Sequence, residues 1–185
     1  VVVAIWGDSI AASTYSGLAS LRGAGGPRLA QFTASQCAPL LGERRPAHNP
    51  YCADINTEAL RRIETLTPDV VLIQCNWPEH DIEALSNTVR ALKTIGSSAP
   101  RVVVLGSQPT WREPLPAPFN RYARVKRRVP DRLEGGRADA LDKIESRLRQ
   151  LSEGSGATFF SVLDVFCDSA VCATLIVLLG IFAIY

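Results

Sequence analysis

The sequence predicts an α/β protein of three layers, helices on both sides of a central parallel sheet of about five strands. Three observations carry this. Val1–Ile5, Val70–Cys75 and Val102–Leu105 are almost uninterrupted apolar, β-branched runs, the pattern of strands buried on both faces. Ile82, Leu85, Val89 and Leu92, and again Leu141, Ile144, Leu148 and Leu151, recur at helical spacing. The two kinds of segment alternate along the chain, which is the signature of strand–helix–strand units. With no internal repeat and no linker between two cores, the 185 residues, 46% hydrophobic, read as a single domain, residues 1–185.

The first strand stops at Gly7-Asp8-Ser9, and a helix is expected from Ile10 to Leu21. A serine there lies at the carboxyl end of a strand, where open α/β sheets carry their sites. Backbone N–H groups and the dipole at the helix start are suited to stabilising an oxyanion beside its hydroxyl. The plainer reading is that Asp8 or Ser9 simply caps the helix. Gly23–Gly26 with Pro27 breaks the helix, and Leu29–Thr33 fits a short second strand. Gly42–Tyr51 reads as a loop. Asn56 or Thr57 can cap a helix through Leu66, which Thr67-Pro68-Asp69 ends. After the strand Val70–Cys75, the helix carrying Ile82 to Leu92 is stopped by Gly96. Beyond Val102–Leu105, Pro109–Arg128 shows no clear period. It carries Trp111 and the cations Arg121, Arg124, Lys126, Arg127 and Arg128, read either as a substrate lid meeting anionic groups or as a solvated basic loop. Trp77 and Trp111 follow strand ends, placed to stack on sugars or to cover the sheet edge. Thr158–Leu163 closes the pattern as a strand.

A formal charge of +2 gives no case for nucleic acid as a partner. The chain has no methionine, opens inside a strand and carries no charged leader, so it is expected to be a piece of something longer, cut at both ends. Of the five cysteines, Cys37 and Cys52 flank a Pro- and Arg-rich loop, and Cys167 and Cys172 flank a short turn. Two local disulfides account for four of them and imply an oxidising compartment, with Cys75 a buried free thiol. A metal site is the competing reading, weakened by the lack of a paired CxxC or a histidine cluster; neither metal nor cofactor is expected.

Gly7-Asp8-Ser9 resembles the first block of the SGNH (GDSL) hydrolases. Tyr15-Ser16-Gly17-Leu18, Thr33 to Pro39, Pro68 to Leu72, Asn76-Trp77, Val102 to Trp111 and Leu115-Pro116 follow in order. Together they resemble the SGNH domain fused to acyltransferase-3 membrane proteins, which O-acylate cell-surface glycans such as lipopolysaccharide. The resemblance implies a flavodoxin-like α/β/α fold and a serine O-acyltransferase or esterase acting on acyl, chiefly acetyl, esters of cell-surface polysaccharide. It makes Ser9 the nucleophile and Asn76 the side-chain oxyanion donor. It also implies an acyl donor and a glycan as partners, an integral-membrane acyltransferase domain in the full-length chain, and a periplasmic or extracytoplasmic place at the inner membrane.

Two parts of the family's pattern are missing. Its oxyanion glycine falls near Gln36-Cys37, where there is no glycine. Its C-terminal Asp-x-x-His, the base and its orienter, does not occur. Only His48 and His80 are present, and both read as surface or capping residues. The chain closes on the apolar stretch Leu175–Tyr185, and by the resemblance it is expected to end just before the family's Asp-x-x-His block; these eleven residues are too few for a spanning helix of ~20. The alternative function is therefore a catalytically inactive domain of this fold that binds carbohydrate or scaffolds a membrane partner.

Overall fold

The computed structural model describes residues 1–43, 49–95, 99–111, 113–114, 116–128, 130–134, 139–168 and 171–173. His48, the Gly96 stop and the stretch Leu175–Tyr185 lie outside them. The chain divides into two compact units, Val1–Ser107 with Ile144–Phe160, and Gln108–Lys143 with Ser161–Tyr185.

The strands and helices run β1 (Val2–Gly7), α1 (Ser9–Leu21), β2 (Arg28–Thr33), α2 (Cys52–Leu66), β3 (Val70–Gln74), α3 (Leu85–Lys93), β4 (Arg101–Leu105), α4 (Pro116–Lys126), β5 (Arg132–Glu134), α5 (Asp139–Gly154), β6 (Thr158–Phe160), α6 (Val162–Phe166), β7 (Cys167–Asp168) and β8 (Val171–Ala173). The first unit holds the expected five-stranded sheet, in the order β2-β1-β3-β4-β6, every pair parallel. β1 lies inside it, flanked by β2 and β3, with Gly7 opposite both Thr33 and Gln74.

The two faces of the sheet explain the apolar runs. Ala4, Trp6, Val71, Ile73, Val102, Val104 and Phe159 share one core with Ala59 and Ile63 of α2, Leu85, Val89 and Leu92 of α3, and Leu148 of α5. Alternate residues turn the other way: Ile5 is fully buried, and α1 packs along β1 and β2 with Ala11 buried. Gly7 is required at this junction. A Cβ there would lie 1.7 Å from the Gln74 carbonyl oxygen and 2.8 Å from the Ala11 Cβ, so the β1–β3 pairing and the α1 approach both depend on its absence.

Several boundaries differ from the sequence reading. α2 begins at Cys52, placing Asn56 inside the helix, where it is 2% exposed. Its amide accepts from Trp6 Nε1 at 3.1 Å and donates to the Ala38 carbonyl at 2.7 Å. A buried indole N–H needs an acceptor, and that need, invisible locally, outweighs the capping preference of asparagine. The stop is as read: Thr67 adopts φ 47° and its N–H closes on the Ile63 carbonyl. The helix expected from Ile82 opens with a single 3-10 turn, Ile82–Ala84, before α3. The final strand ends at Phe160, because Ser161 accepts from the Asp164 N–H and caps α6.

The second unit carries a small sheet, β5-β8-β7, antiparallel throughout, which the sequence did not announce. Its core is Leu141, Leu163, Cys167 and Cys172, with Trp111 and Phe166 half-buried against them. Pro109–Arg128, read as aperiodic, contains the helix α4, none of whose residues is buried. Both expected disulfides are present. Cys37–Cys52 has Cα atoms 5.3 Å apart, and Cys167–Cys172, which links β7 to β8, 4.0 Å. Cys75 is free and buried. Among the described residues no helix is long and apolar enough to cross a membrane.

Candidate active site

At the carboxyl edge of β1 and β3, the Asp8 side chain ties the start of α1 to Asn76, just beyond β3. Asp8, 3% exposed, is the N-cap of α1, and its Oδ1 accepts from the Ile10 N–H at 2.8 Å. Its Oδ2 accepts from the Asn76 N–H, also at 2.8 Å. Asp8 is therefore the cap, which leaves Ser9 free of that task. Ser9 opens α1 as an exposed residue, and its hydroxyl has no partner among the described residues. The two sequence-selected residues are thus brought to one edge: Ser9 is the neighbour of Asp8, and Asn76 is bonded to Asp8 directly.

Asn76 itself is half-buried at the exit of β3, with φ −74° and ψ 75°. Its side-chain amide makes no hydrogen bond among the described residues, so its N–H groups are available to an incoming oxygen. The segment after it is anchored by burial and hydrogen bonds. Trp77-Pro78-Glu79 forms a 3-10 turn, and Trp77 is fully buried, donating from Nε1 to the Leu105 carbonyl at 2.8 Å. Trp77 covers the sheet edge and cannot stack on a sugar.

The loop after β2 is the third wall. Ala34 N–H donates to the Gly7 carbonyl at 3.1 Å, and the Cys37–Cys52 disulfide and the Asn56 amide hold the loop to α2. Gln36 has φ 55°, the left-handed conformation that glycine adopts without strain. The backbone shape suited to glycine is therefore present without the residue. The Cys37 N–H is already engaged by the Ala34 carbonyl at 3.2 Å. A recess of about 210 Å³ opens beside this loop, lined by Gly7, Phe32, Thr33, Ala34, Asn56 and Arg62 among others.

His80 is the histidine nearest in sequence to this edge, and its ring is not exposed as a surface residue's would be. Its side chain is 2% exposed, and Nδ1 lies 3.1 Å from Glu43 Oε1. The same carboxylate oxygen accepts from the Asp81 N–H at 3.1 Å. The pair straps the Leu41–Glu43 loop to the turn before α3, and Asn87 and Thr88 reinforce the strap through Leu41. Burial also acts on Cys75. Desolvation, then the charges of Asp8, Glu43 and Glu79, push its thiol pKa well above the ordinary value, so it is an inert thiol at neutral pH. No group of His, Cys, Asp and Glu among the described residues could hold a metal.

Sequence reasoning singled out Ser9 and Asn76 but left Asp8 as one of two possible caps. Its second bond, to Asn76, spans 68 positions and is visible only in the fold.

A parallel sheet in the order β2-β1-β3-β4-β6, with serine after β1 and asparagine after β3, defines an SGNH-type domain. The chain belongs to the family of SGNH domains fused to AT3 domains, whose model matches residues 2–185. Among solved structures it is similar to the periplasmic domain of a lipopolysaccharide acetyltransferase from Salmonella ser. Paratyphi A. The TM-score is 0.81 at 21% identity, over 95% of this chain and 71% of that one, a likeness of fold. No curated protein matches the chain significantly.

Proposed function

We propose that this chain is a serine O-acyltransferase or esterase domain working on acyl, chiefly acetyl, esters of cell-surface polysaccharide. The observation that carries the reading is the Asp8 carboxylate, which fixes the Ser9 turn and the Asn76 backbone to one another. Ser9 Oγ attacks the ester carbonyl as its proton passes to a base, the Asn76 amide donates to the oxyanion, and the C–O ester bond breaks as the leaving oxygen takes up that proton and departs as an alcohol. The acyl-serine is then attacked by a sugar hydroxyl or by water, which regenerates Ser9. The disulfides and the periplasmic neighbour support an extracytoplasmic location. Family membership supports a membrane-embedded acyltransferase domain as the partner, at the inner membrane, with residues 1–185 forming a single SGNH-like domain of a longer protein.

The proton acceptor sets the rate. The sequence has no Asp-x-x-His, and the His80 ring is buried against Glu43. Without a base, turnover falls to the residual ~10³–10⁴-fold over water that oxyanion donors and binding supply. The 185-residue chain is therefore expected to hydrolyse p-nitrophenyl acetate only marginally. The same chain extended by a C-terminal Asp-x-x-His segment should regain turnover, and Ser9→Ala in the extended form should abolish it. Equal rates for short and extended chains would place the base elsewhere, with His80 the first to substitute. An inert extended chain would favour the second reading, a carbohydrate-binding or scaffolding domain.

A further inference from the structure

α4 is a helix with no buried residue. Between Pro116 and Glu134, the end of β5, the sequence carries six cations, Arg121, Arg124, Lys126, Arg127, Arg128 and Arg132, against two acids, Asp131 and Glu134. Arg121 is paired with Glu113 at 2.5 Å, and Arg132 with Asp168 at 2.9 Å. Arg124, Lys126 and Arg127 are exposed and have no acidic partner among the described residues. Three cations thus stand on one small surface without an ion pair among the described residues.

The same surface is apolar in a regular way. Pro118, Tyr122 and Val125 recur at helical spacing and, with Leu133 of β5, line a groove of about 300 Å³ flanked by Arg121 and Lys126. Val125 is 71% exposed, an unusual position for a branched aliphatic beside three free cations. A solvated basic loop does not need that stripe, and a purely polyanionic glycan would leave it in water. A bilayer surface with anionic headgroups satisfies both halves. Valine and the tyrosine ring reach the boundary of the acyl chains, while Lys and Arg stems extend back to the phosphates.

We propose that the α4–β5 face is a docking surface for an anionic lipid bilayer. The proposal is independent of the Ser9 chemistry, and its test reads no turnover. The 185-residue chain is sedimented with vesicles of phosphatidylcholine alone and of phosphatidylcholine with phosphatidylglycerol, with soluble dextran sulfate as a polyanion lacking an apolar phase. The expected result is binding to the phosphatidylglycerol vesicles and not to phosphatidylcholine alone, weakening steeply as salt is raised, with weaker binding to dextran sulfate through the cations. The triple variant Arg124→Gln/Lys126→Gln/Arg127→Gln should bind about a hundredfold more weakly, from about fivefold per cation. Val125→Ser should lose about fivefold on vesicles and nothing on dextran sulfate. The altered side chains are all exposed, so unchanged thermal melting is expected, and the salt series on the unaltered chain reads the charge contribution without any substitution. Three results would overturn the proposal: no sedimentation with anionic vesicles, vesicle binding that the triple variant retains, or vesicle binding that Val125→Ser leaves unchanged. The last, with equal affinity for dextran sulfate, would mark a polyelectrolyte site instead.

Discussion

Replacing Asp8 with alanine removes the one side chain that joins the Ser9 turn to Asn76. Two backbone N–H groups, of Ile10 and Asn76, then lose a carboxylate acceptor at 2.8 Å in a site that is 3% exposed. The helix cap contributes about 1 kcal/mol, and a hydrogen bond to a charged acceptor about 1.5–3 kcal/mol when its partner is left buried and unpaired. The sum is about 2.5–4 kcal/mol, and at about 2–4 °C per kcal/mol for a chain of this size Tm should fall by about 5–15 °C. Asp8→Asn keeps one acceptor oxygen but turns an N–H₂ toward the other donor, so it should lose about half as much. Ser9→Ala, at an exposed position with no side-chain bond among the described residues, should stay within about 0.5 kcal/mol of the parent. Urea unfolding of the three variants, read by circular dichroism, checks the series. If Asp8→Ala unfolds within about 1 kcal/mol of the parent, the carboxylate does not hold the edge together and the reasoning fails.

Gly7→Ala should destabilise by about 3 kcal/mol or more, the upper end for overpacking, because its Cβ meets the Gln74 backbone at 1.7 Å; normal urea stability would contradict this. The Cys37→Ser/Cys52→Ser pair, closing a loop of 15 residues, should cost about 3 kcal/mol, and Cys167→Ser/Cys172→Ser, with a separation of 5, about 2 kcal/mol; the reverse order in denaturant titrations would count against the loop-entropy account. Cys75, buried and with its thiol pKa raised, should resist a thiol-specific reagent at about pH 8, near the ordinary thiol pKa, in the native protein and react once per chain in urea; rapid native reaction would refute its burial. Hydrogen bonds from Arg61 and then Arg62 hold the exposed Glu58 carboxyl down at about 2. A depressed folded pKa means this interaction is present above the ordinary value of 4.5 and fades as pH falls toward about 2; an NMR titration midpoint at the ordinary 4.5 would remove it.

The sequence by itself determined the layers, the parallel sheet, both disulfides and the places of Ser9 and Asn76 at the ends of two strands. Each of these is written locally. Strands buried on two faces must be apolar throughout, amphipathic helices must repeat at about 3.6 residues, and cysteines flanking short loops are already close. The motif order that marks the family is likewise a property of the chain read from end to end. Tertiary structure decided what depends on partners far away in sequence. Asn56 looked like a cap but serves a buried indole 50 positions distant. Asp8 and Ser9 were equal candidates for the cap until the Asn76 N–H, 68 positions on, gave the Asp8 carboxylate a second bond and left the serine hydroxyl open to solvent. His80 and Trp77, each plausible at a surface, are drawn inward by Glu43 and by the Leu105 carbonyl. The helix in Pro109–Arg128 and the small antiparallel sheet escaped notice because their stretches are short, proline-rich or charged, and the apolar spacing of Pro118, Tyr122 and Val125 is too brief to stand out among them. Such segments are shaped by what they pack beside, and local pattern does not record it.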